Sequence, residues 1–430
     1  MSAATPPTAR WVALRHRDFR LMWGAQFVSV IGSQMQATAV NWHVYQLLRG
    51  QSVQLAGYSF DAGALGLGLV GLSRVIPIIV FALIGGAIAD AVDRRKVMTW
   101  TQIAAAIFAT GLALFSFSGN EAVWPIYVFT ALGAATGVFD NPARQALVPN
   151  LVPKEHLTNA ISMNMLAFDT ATVIGPALGG VLLARVNIGW LYAFNAASFV
   201  GVLLAVLLMA YREPARTQAP QVNLSAIKEG LRFTFGTPII SSTMLLDFLA
   251  TFFSSARTML PVIASEVLRV GAEGYGLLST AQSVGSVLAG FFIALRKQEI
   301  QRQGVVLLVC VGIYGLATAL FGISTNFVFS YVLFAITGAA DTLSAIIRGI
   351  IRQLNTPDYL RGRMIGVNMM FFMGGPQLGE LEAGLVAAAL GVPFAIVSGG
   401  IATVLLTAWV GWRFKALRGY TRHPASVTAH

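Results

Sequence analysis

A chain of 430 residues that is 56% apolar and 11% charged departs far from an ordinary soluble domain, which is about 45–50% apolar and about 25% charged. With a mean hydropathy of +0.70 it cannot hide its apolar surface from water, so its solvent is lipid. The net charge of +11 would suit nucleic acid only if the basic residues clustered, and they do not; the lone Cys310 excludes an intrachain disulfide.

The opening MSAATPPTARWVALRHRDFR has no compact apolar core followed by a small-residue cleavage site, and reads as a short tail rather than a signal peptide. Stretches of about 20 apolar residues, long enough to cross a bilayer, then fall at 20–47, 62–90, 97–118, 123–143, 159–184, 188–210, 239–264, 274–296, 304–324, 327–349, 362–390 and 392–413. The expected fold class is an all-α membrane protein with twelve transmembrane helices. The longest polar stretch, REPARTQAPQVNLSAIKEG at 212–230, divides the spans six and six. The expected organisation is a tail 1–19, a six-helix bundle 20–211, a linker 212–238, a second bundle 239–414 and a tail 415–430.

If the first tail is cytoplasmic, alternate connections should be rich in Lys and Arg. They are: most of the 29 basic residues lie there, as with Arg94, Arg95 and Lys96 in the 2–3 connection and Arg348, Arg352, Arg361 and Arg363 in the 10–11 connection. Arg49, Arg185 and Arg269 fall on the opposite side, and Arg74 and Arg257 fall inside spans. The alternation predicts both termini in the cytoplasm.

The chain also repeats itself. NAISMNMLAF (159–168) aligns with RMIGVNMMFF (363–372), and GPALGG (175–180) echoes GPQLGE (375–380). The fifth span thus returns as the eleventh, a parallel duplication of the kind that builds secondary transporters. Pro176 removes an amide donor and is expected to bend its helix, while Gly175, Gly179 and Gly180 allow close packing at the bend.

Six plus six helices with this repeat resemble the major facilitator superfamily. GGAIADAVDRRKV (85–97) is similar to its signature between the second and third spans: Gly86, Asp90, then Arg94, Arg95 and Lys96, with Asp93 where a second glycine is usual. GPALGG resembles the core of the antiporter motif, with Ala171 at the nearest upstream glycine position. FDNPARQALVPNLVPKEHLTNAIS, EGLRFTFGTPII and TPDYLRGRMIGV resemble the drug and siderophore exporter branch, which includes the macrolide efflux proteins and the enterobactin exporter. The resemblance covers essentially the whole chain. It implies two pseudo-symmetric bundles in a bacterial-type cytoplasmic membrane, alternating access, a monomer, and no cofactor. It also implies that Asp90 meets the start of the eleventh span as a latch, with Arg94 and Arg95 near Asp140 and Arg144. Many relatives carry an arginine inside the fourth span; none lies within 123–143 here, so coupling through it is not available.

Charges inside spans are costly and mark pathways. Arg74, Asp169, Asp247, Arg257, Glu380 and Glu382 are the proton-coupling candidates, with Glu380 first; Asp61, Asp341 and Asp358 are expected near the interfaces. At ~1.5 Å per residue, Arg74 lies roughly 24 Å from Asp90, and Glu380 roughly 27 Å from Gly362 on the same side. They are plausible partners, and Arg257, about 27 Å from Ile239, competes for the same acid. Glu380 and Glu382 point about 200° apart around a helix, so only one faces inward squarely. Cavity candidates are Gln34, Asn41, Trp42, Tyr45, Phe252 and Phe253, a mixed amide and aromatic lining that suits amphiphilic molecules; Trp42 and Tyr45 equally suit an interfacial belt.

These features point to a proton-coupled exporter of an amphiphilic small molecule, drug-like or siderophore. The alternative is an importer or uniporter of the same fold, and more remotely a non-transporting sensor. An enzyme is not expected: His16, His43, His156, His423 and His430 are scattered without metal-ligand spacing, and no phosphate-cradling loop is present.

Overall fold

The computed structural model describes residues 11–55, 57–212, 224–295 and 300–421, without the side chains of 55, 82–91, 224–227, 358, 359, 362 and 370. After a 3-10 turn at Val12–Arg15 come α1 (Arg17–Leu48), a hairpin of β1 (Ser52–Leu55) and β2 (Tyr58–Asp61), α2 (Ala62–Ala91), α3 (Arg94–Phe117), α4 (Trp124–Leu147), α5 (Leu157–Leu183) and α6 (Gly189–Leu208). The second half holds α7 (Leu224–Gly236), α8 (Pro238–Phe253), α9 (Leu260–Val262), α10 (Gly271–Leu295), α11 (Gln303–Ile323), α12 (Phe327–Leu354), α13 (Asp358–Leu390), α14 (Val392–Arg413) and α15 (Lys415–Arg418).

Among the described residues, nine helical segments are long and apolar enough to cross a membrane. The other three expected spans, α1, α4 and α13, have the length at 32, 24 and 33 residues but carry more polar side chains. Large apolar side chains such as Trp100, Leu114, Phe291, Phe292, Leu405 and Trp412 are left exposed. In water each such face would forfeit about 25 cal/mol per Å²; against lipid tails it forfeits nothing.

The chain forms two compact units, Met1–His43 with Ile76–Val222, and Val44–Val75 with Asn223–His430. The end of α1 and the first half of α2 belong with the second unit, where Gly68 meets Gly384 of α13 backbone to backbone; a Cβ on Gly68 would stand 2.9 Å from Gly384 Cα. The expected linker also contains a docked helix: in α7, Glu229 pairs with Arg363 of α13, and the Phe235 ring meets Phe371 edge-on at 6.0 Å.

The sequence echo is a packing echo. In the first unit, a Cβ added to Gly175 of α5 would press on Ile31 and Gln34 of α1, and one added to Gly179 would touch Met35 at ordinary contact distance. In the second, the same addition to Gly375 or Gly379 of α13 would press on Phe248, Thr251 and Phe252 of α8, each 217 residues beyond its α1 counterpart. Both helices run on through their prolines, Pro176 and Pro376, as continuous α-helix.

The seventh expected span, 239–264, is not one helix. α8 stops at Phe253, and a 3-10 turn at Arg257–Met259, α9 and a π turn at Ile263–Val267 follow. Pro261 keeps the ladder from resuming across this stretch: it has no amide to donate, and its ring occupies the space of the carbonyl four residues back, at Arg257. One carbonyl at the break finds a partner within the unit, since Tyr314 Oη donates to the Ser254 carbonyl at 3.4 Å, and the segment is pinned further by a side-chain bond of 2.7 Å between Ser254 Oγ and Thr403 Oγ1.

The glycine contacts give a controlled test. Gly374 of α13 has open space where a Cβ would go, whereas Gly379 faces the Thr251 and Phe252 carbonyls. Gly→Ala in a helix is otherwise favourable by about 1 kcal/mol, and overpacking costs about 1–3 kcal/mol. Gly379→Ala is therefore expected to lower the unfolding midpoint in detergent, and Gly374→Ala to hold or raise it. Equal midpoints would show that the α13–α8 contact is not tight.

Candidate functional site

The first buried charge group is built by glycines. Gly68 and Gly71 of α2 let α13 approach so closely that a Cβ on Gly71 would stand 2.7 Å from Glu380 Cβ. One turn further along α2, Arg74 Nη1 then lies 3.7 Å from Glu380 Oε2. Glu380 is 5% exposed, and its Oε2 has no hydrogen-bond donor among the described residues. Arg257, on the turn that breaks the seventh span, interacts electrostatically with both Glu380 and Arg74, yet its side chain is exposed. Two guanidiniums therefore answer one carboxylate. Glu382 is only half-buried, and Asp169 of α5 is exposed.

The second group was largely missed. Arg348 and Arg352 were assigned to a connection, but α12 runs on to Leu354 and buries both. Arg348 Nη1 lies 2.9 Å from Asp247 Oδ1 and Nη2 lies 3.4 Å from Asp341 Oδ1, while Arg352 Nη2 lies 3.9 Å from Asp247 Oδ2. Asp341 thus joins this network, with its side chain 51% exposed. The missed signal was helical spacing: Asp341, Arg348 and Arg352 at i, i+7 and i+11 form one stripe.

The gating motif is only partly visible, because the side chains of Gly86 and Asp90 lie outside the described residues. Arg94 and Arg95 were expected near Asp140; instead they reach carbonyls at helix ends. Arg94 donates to Ala146 O at 2.9 Å, and Arg95 to Tyr211 O at 2.9 Å and Val206 O at 2.6 Å. Such carbonyls lack helical partners and attract cations. Asp140 is held by Thr101 and Gln102, each at 2.9 Å, and by Arg144 Nε at 3.7 Å.

The cavity candidates divide. Gln34 lies under Gly175; Asn41 and Trp42 are buried, the former with an unsatisfied Oδ1 among the described residues. Tyr45 is 2% exposed. It donates to Glu266 Oε1 at 2.9 Å, with Arg49 5.8 Å above its ring, so it ties α1 to the π turn. Phe252 and Phe253 close a chain of rings: Phe235–Phe371 at 6.0 Å, Phe371–Phe248 at 6.0 Å, Phe248–Phe252 at 5.6 Å and Phe252–Phe253 at 5.0 Å. Among the described residues no three metal-ligating side chains converge. The histidines are less scattered than their numbers suggest, since His16 Nε2 and His156 Nδ1 lie 2.9 Å apart.

Comparison with known proteins agrees with this architecture. A family model described as a transmembrane secretion effector matches residues 8–426. The enterobactin exporter EntS of Salmonella typhi is 28% identical over 393 residues, 89% of each chain. That of Shigella boydii serotype 4 is 27% identical over 425 residues, 96% of each chain. Solved structures that share the fold include a mutant of the nucleoside transporter NupG, with a TM-score of 0.72 at 12% identity over 93% of this chain and 99% of its own. A bacterial homolog of the human lysosomal transporter Spinster gives 0.70 at 14% identity, covering 98% and 100%. The chain is a multi-pass membrane transporter for small molecules, and it belongs to the transmembrane secretion effector family of the major facilitator superfamily.

Proposed function

We propose that the protein exports an amphiphilic small molecule from the cytoplasm by alternating access, with proton entry as the drive and Glu380 as the proton-carrying group. The observation that carries this reading is the α2–α13 contact, where a buried carboxylate oxygen without a hydrogen-bond donor faces Arg74 at 3.7 Å. At an effective dielectric of about 20, that pair attracts by about 4 kcal/mol before desolvation is counted. Ionised Glu380 holds the first half of α2 against α13. A proton on Glu380 removes the attraction and lets the two helices part; its release on the other side restores the contact. A group both buried and incompletely satisfied is suited to this exchange, whereas a fully bonded one is not. The export direction is supported by relatives named as enterobactin exporters, aligned over nearly the whole of both chains, and by the antiporter-like GPALGG on α5.

The Asp247–Arg348–Asp341–Arg352 network is assigned a packing role. Its two acids and two bases balance, and Asp247 is met from both sides. Arg74 and Arg257 serve the Glu380 site, while Asp169 and Glu382 lie outside it. Arg94, Arg95, Asp140 and Arg144 brace helix ends, so that the latch assigned to Asp90 moves with a rigid base.

Two measurements check this division. In vesicles carrying an imposed pH gradient, with ethidium, erythromycin and enterobactin as probes, Glu380→Gln is expected to lose gradient-driven accumulation at least tenfold while keeping downhill exchange. Full gradient-driven transport by this variant would remove the coupling assignment. Arg348→Met, which leaves Asp247 with one distant partner, is expected to destabilise the protein by about 3–5 kcal/mol, and the pair Arg348→Met with Asp247→Leu to recover most of that. Asp341→Asn is expected to keep transport within about twofold; loss of the pH response there would move the proton site to this network.

A further inference from the structure

The charge count around Arg257 does not close. Arg74 lies 3.7 Å from the single carboxylate of Glu380 and Arg257 interacts with it electrostatically, which leaves one positive charge over among these three groups. Other acids of the unit are engaged elsewhere: Asp247 with Arg348 and Arg352, Asp341 with Arg348, Glu266 with the Tyr45 hydroxyl, and Glu229 with Arg363; Glu382, two residues from Glu380, does not enter the electrostatic interactions of Arg257. An uncompensated guanidinium at membrane depth is costly, and Arg257 is not covered by packing, since its side chain is exposed. Its position follows from the helix break, which puts it on irregular backbone beyond the last turn of α8.

Flat apolar surface leads to the same point. The rings of Phe248, Phe252 and Phe253 follow one another at 5.6 Å and 5.0 Å, and Phe253 stands four residues before Arg257. None of the three is fully buried. Stacked and edge-on aromatic faces of this kind favour a planar aromatic guest, and a guanidinium fork favours a carboxylate or a similar planar anion.

We infer that the transported molecule is an aromatic acid in chemical class: its anion sits on Arg257 and Arg74 in place of the Glu380 carboxylate, and its ring system lies on Phe248, Phe252 and Phe253. This deepens the export reading and rests on it for the claim that the bound molecule is cargo. The displaced Glu380 carboxylate is then the group left to take the incoming proton, so cargo and proton exchange at one pair of arginines.

The test is binding to the purified full chain, with 1-naphthoate as probe, 1-naphthamide as its neutral counterpart and cyclohexanecarboxylate as the non-aromatic acid. 1-Naphthoate is expected to bind at least tenfold more tightly than either. Arg257→Gln is expected to erase the preference for acid over amide while naphthamide binding and the unfolding midpoint stay near wild type, and Arg257→Lys to retain most of the preference. No binding of 1-naphthoate at millimolar concentration, equal binding of acid and amide, or a preference that survives Arg257→Gln would each overturn the inference. The two readings fail separately. Preference for the acid with transport indifferent to the pH gradient removes proton-driven export and keeps the aromatic acid, whereas gradient-driven transport of acid and amide alike does the reverse.

Discussion

A backbone amide or carbonyl in hydrocarbon must find its partner inside the protein, and the second unit is arranged around one place where the helical ladder fails to supply it. α8 ends at Phe253 in the middle of the seventh span, and the carbonyls of its last turn would be left bare. Gly379 of α13 and Gly399 of α14 come down onto the carbonyls of Thr251, Phe252 and Phe253, while Tyr314 and Thr403 reach the segment around Ser254 with hydroxyls. The break is therefore tolerated because two neighbours are smooth enough to close over it. It also has a use: an arginine carried on such backbone is freed from the register of a helix face.

The two buried ionic groups of this unit differ in completeness, and that difference matters more than depth. Asp247 lies between two arginines with a contact of 2.9 Å to one of them. Glu380 is as well buried but meets Arg74 only at 3.7 Å and leaves an oxygen unbonded. The first group is not complete either, since Arg348 Nε and Arg352 Nη1 lack acceptors among the described residues, but its acid is met by two arginines, and removing one of them strands a charge. An acid met less fully sits closer to an alternative arrangement, and rocking between arrangements is what a carrier requires.

Much of this was open to inspection in the sequence, and the exceptions have physical causes. Apolar length gave the spans, and counting residues along them put Arg74 and Glu380 at one depth, where the structure brings them together. The repeat was legible because the packing glycines are the same in both copies. The break at Arg257 was not, since the apolar run continues across it and hydropathy does not register a missing amide. Arg348 and Arg352 were hidden by position: basic residues past the end of an apolar run read as topology signals, and only their helical phase with Asp341 distinguishes them. The meeting of His16 with His156, and of Tyr45 with Glu266, joins residues distant along the chain, which one sequence does not encode in any local pattern. The hairpin at 52–61 is too short to leave a periodic trace.

The duplicated motif carries one more implication. Gly175 and Gly375 do equivalent work against α1 and α8, so neither copy can change there without disturbing a helix contact. Five residues on, the copies differ: Gly180 in one, Glu380 in the other, both buried. A chain that kept an acid at both places would hold two equivalent buried carboxylates. Here the acid stands in one copy alone, so whatever Glu380 does is done by one half of a duplicated frame, at the point where its internal symmetry fails.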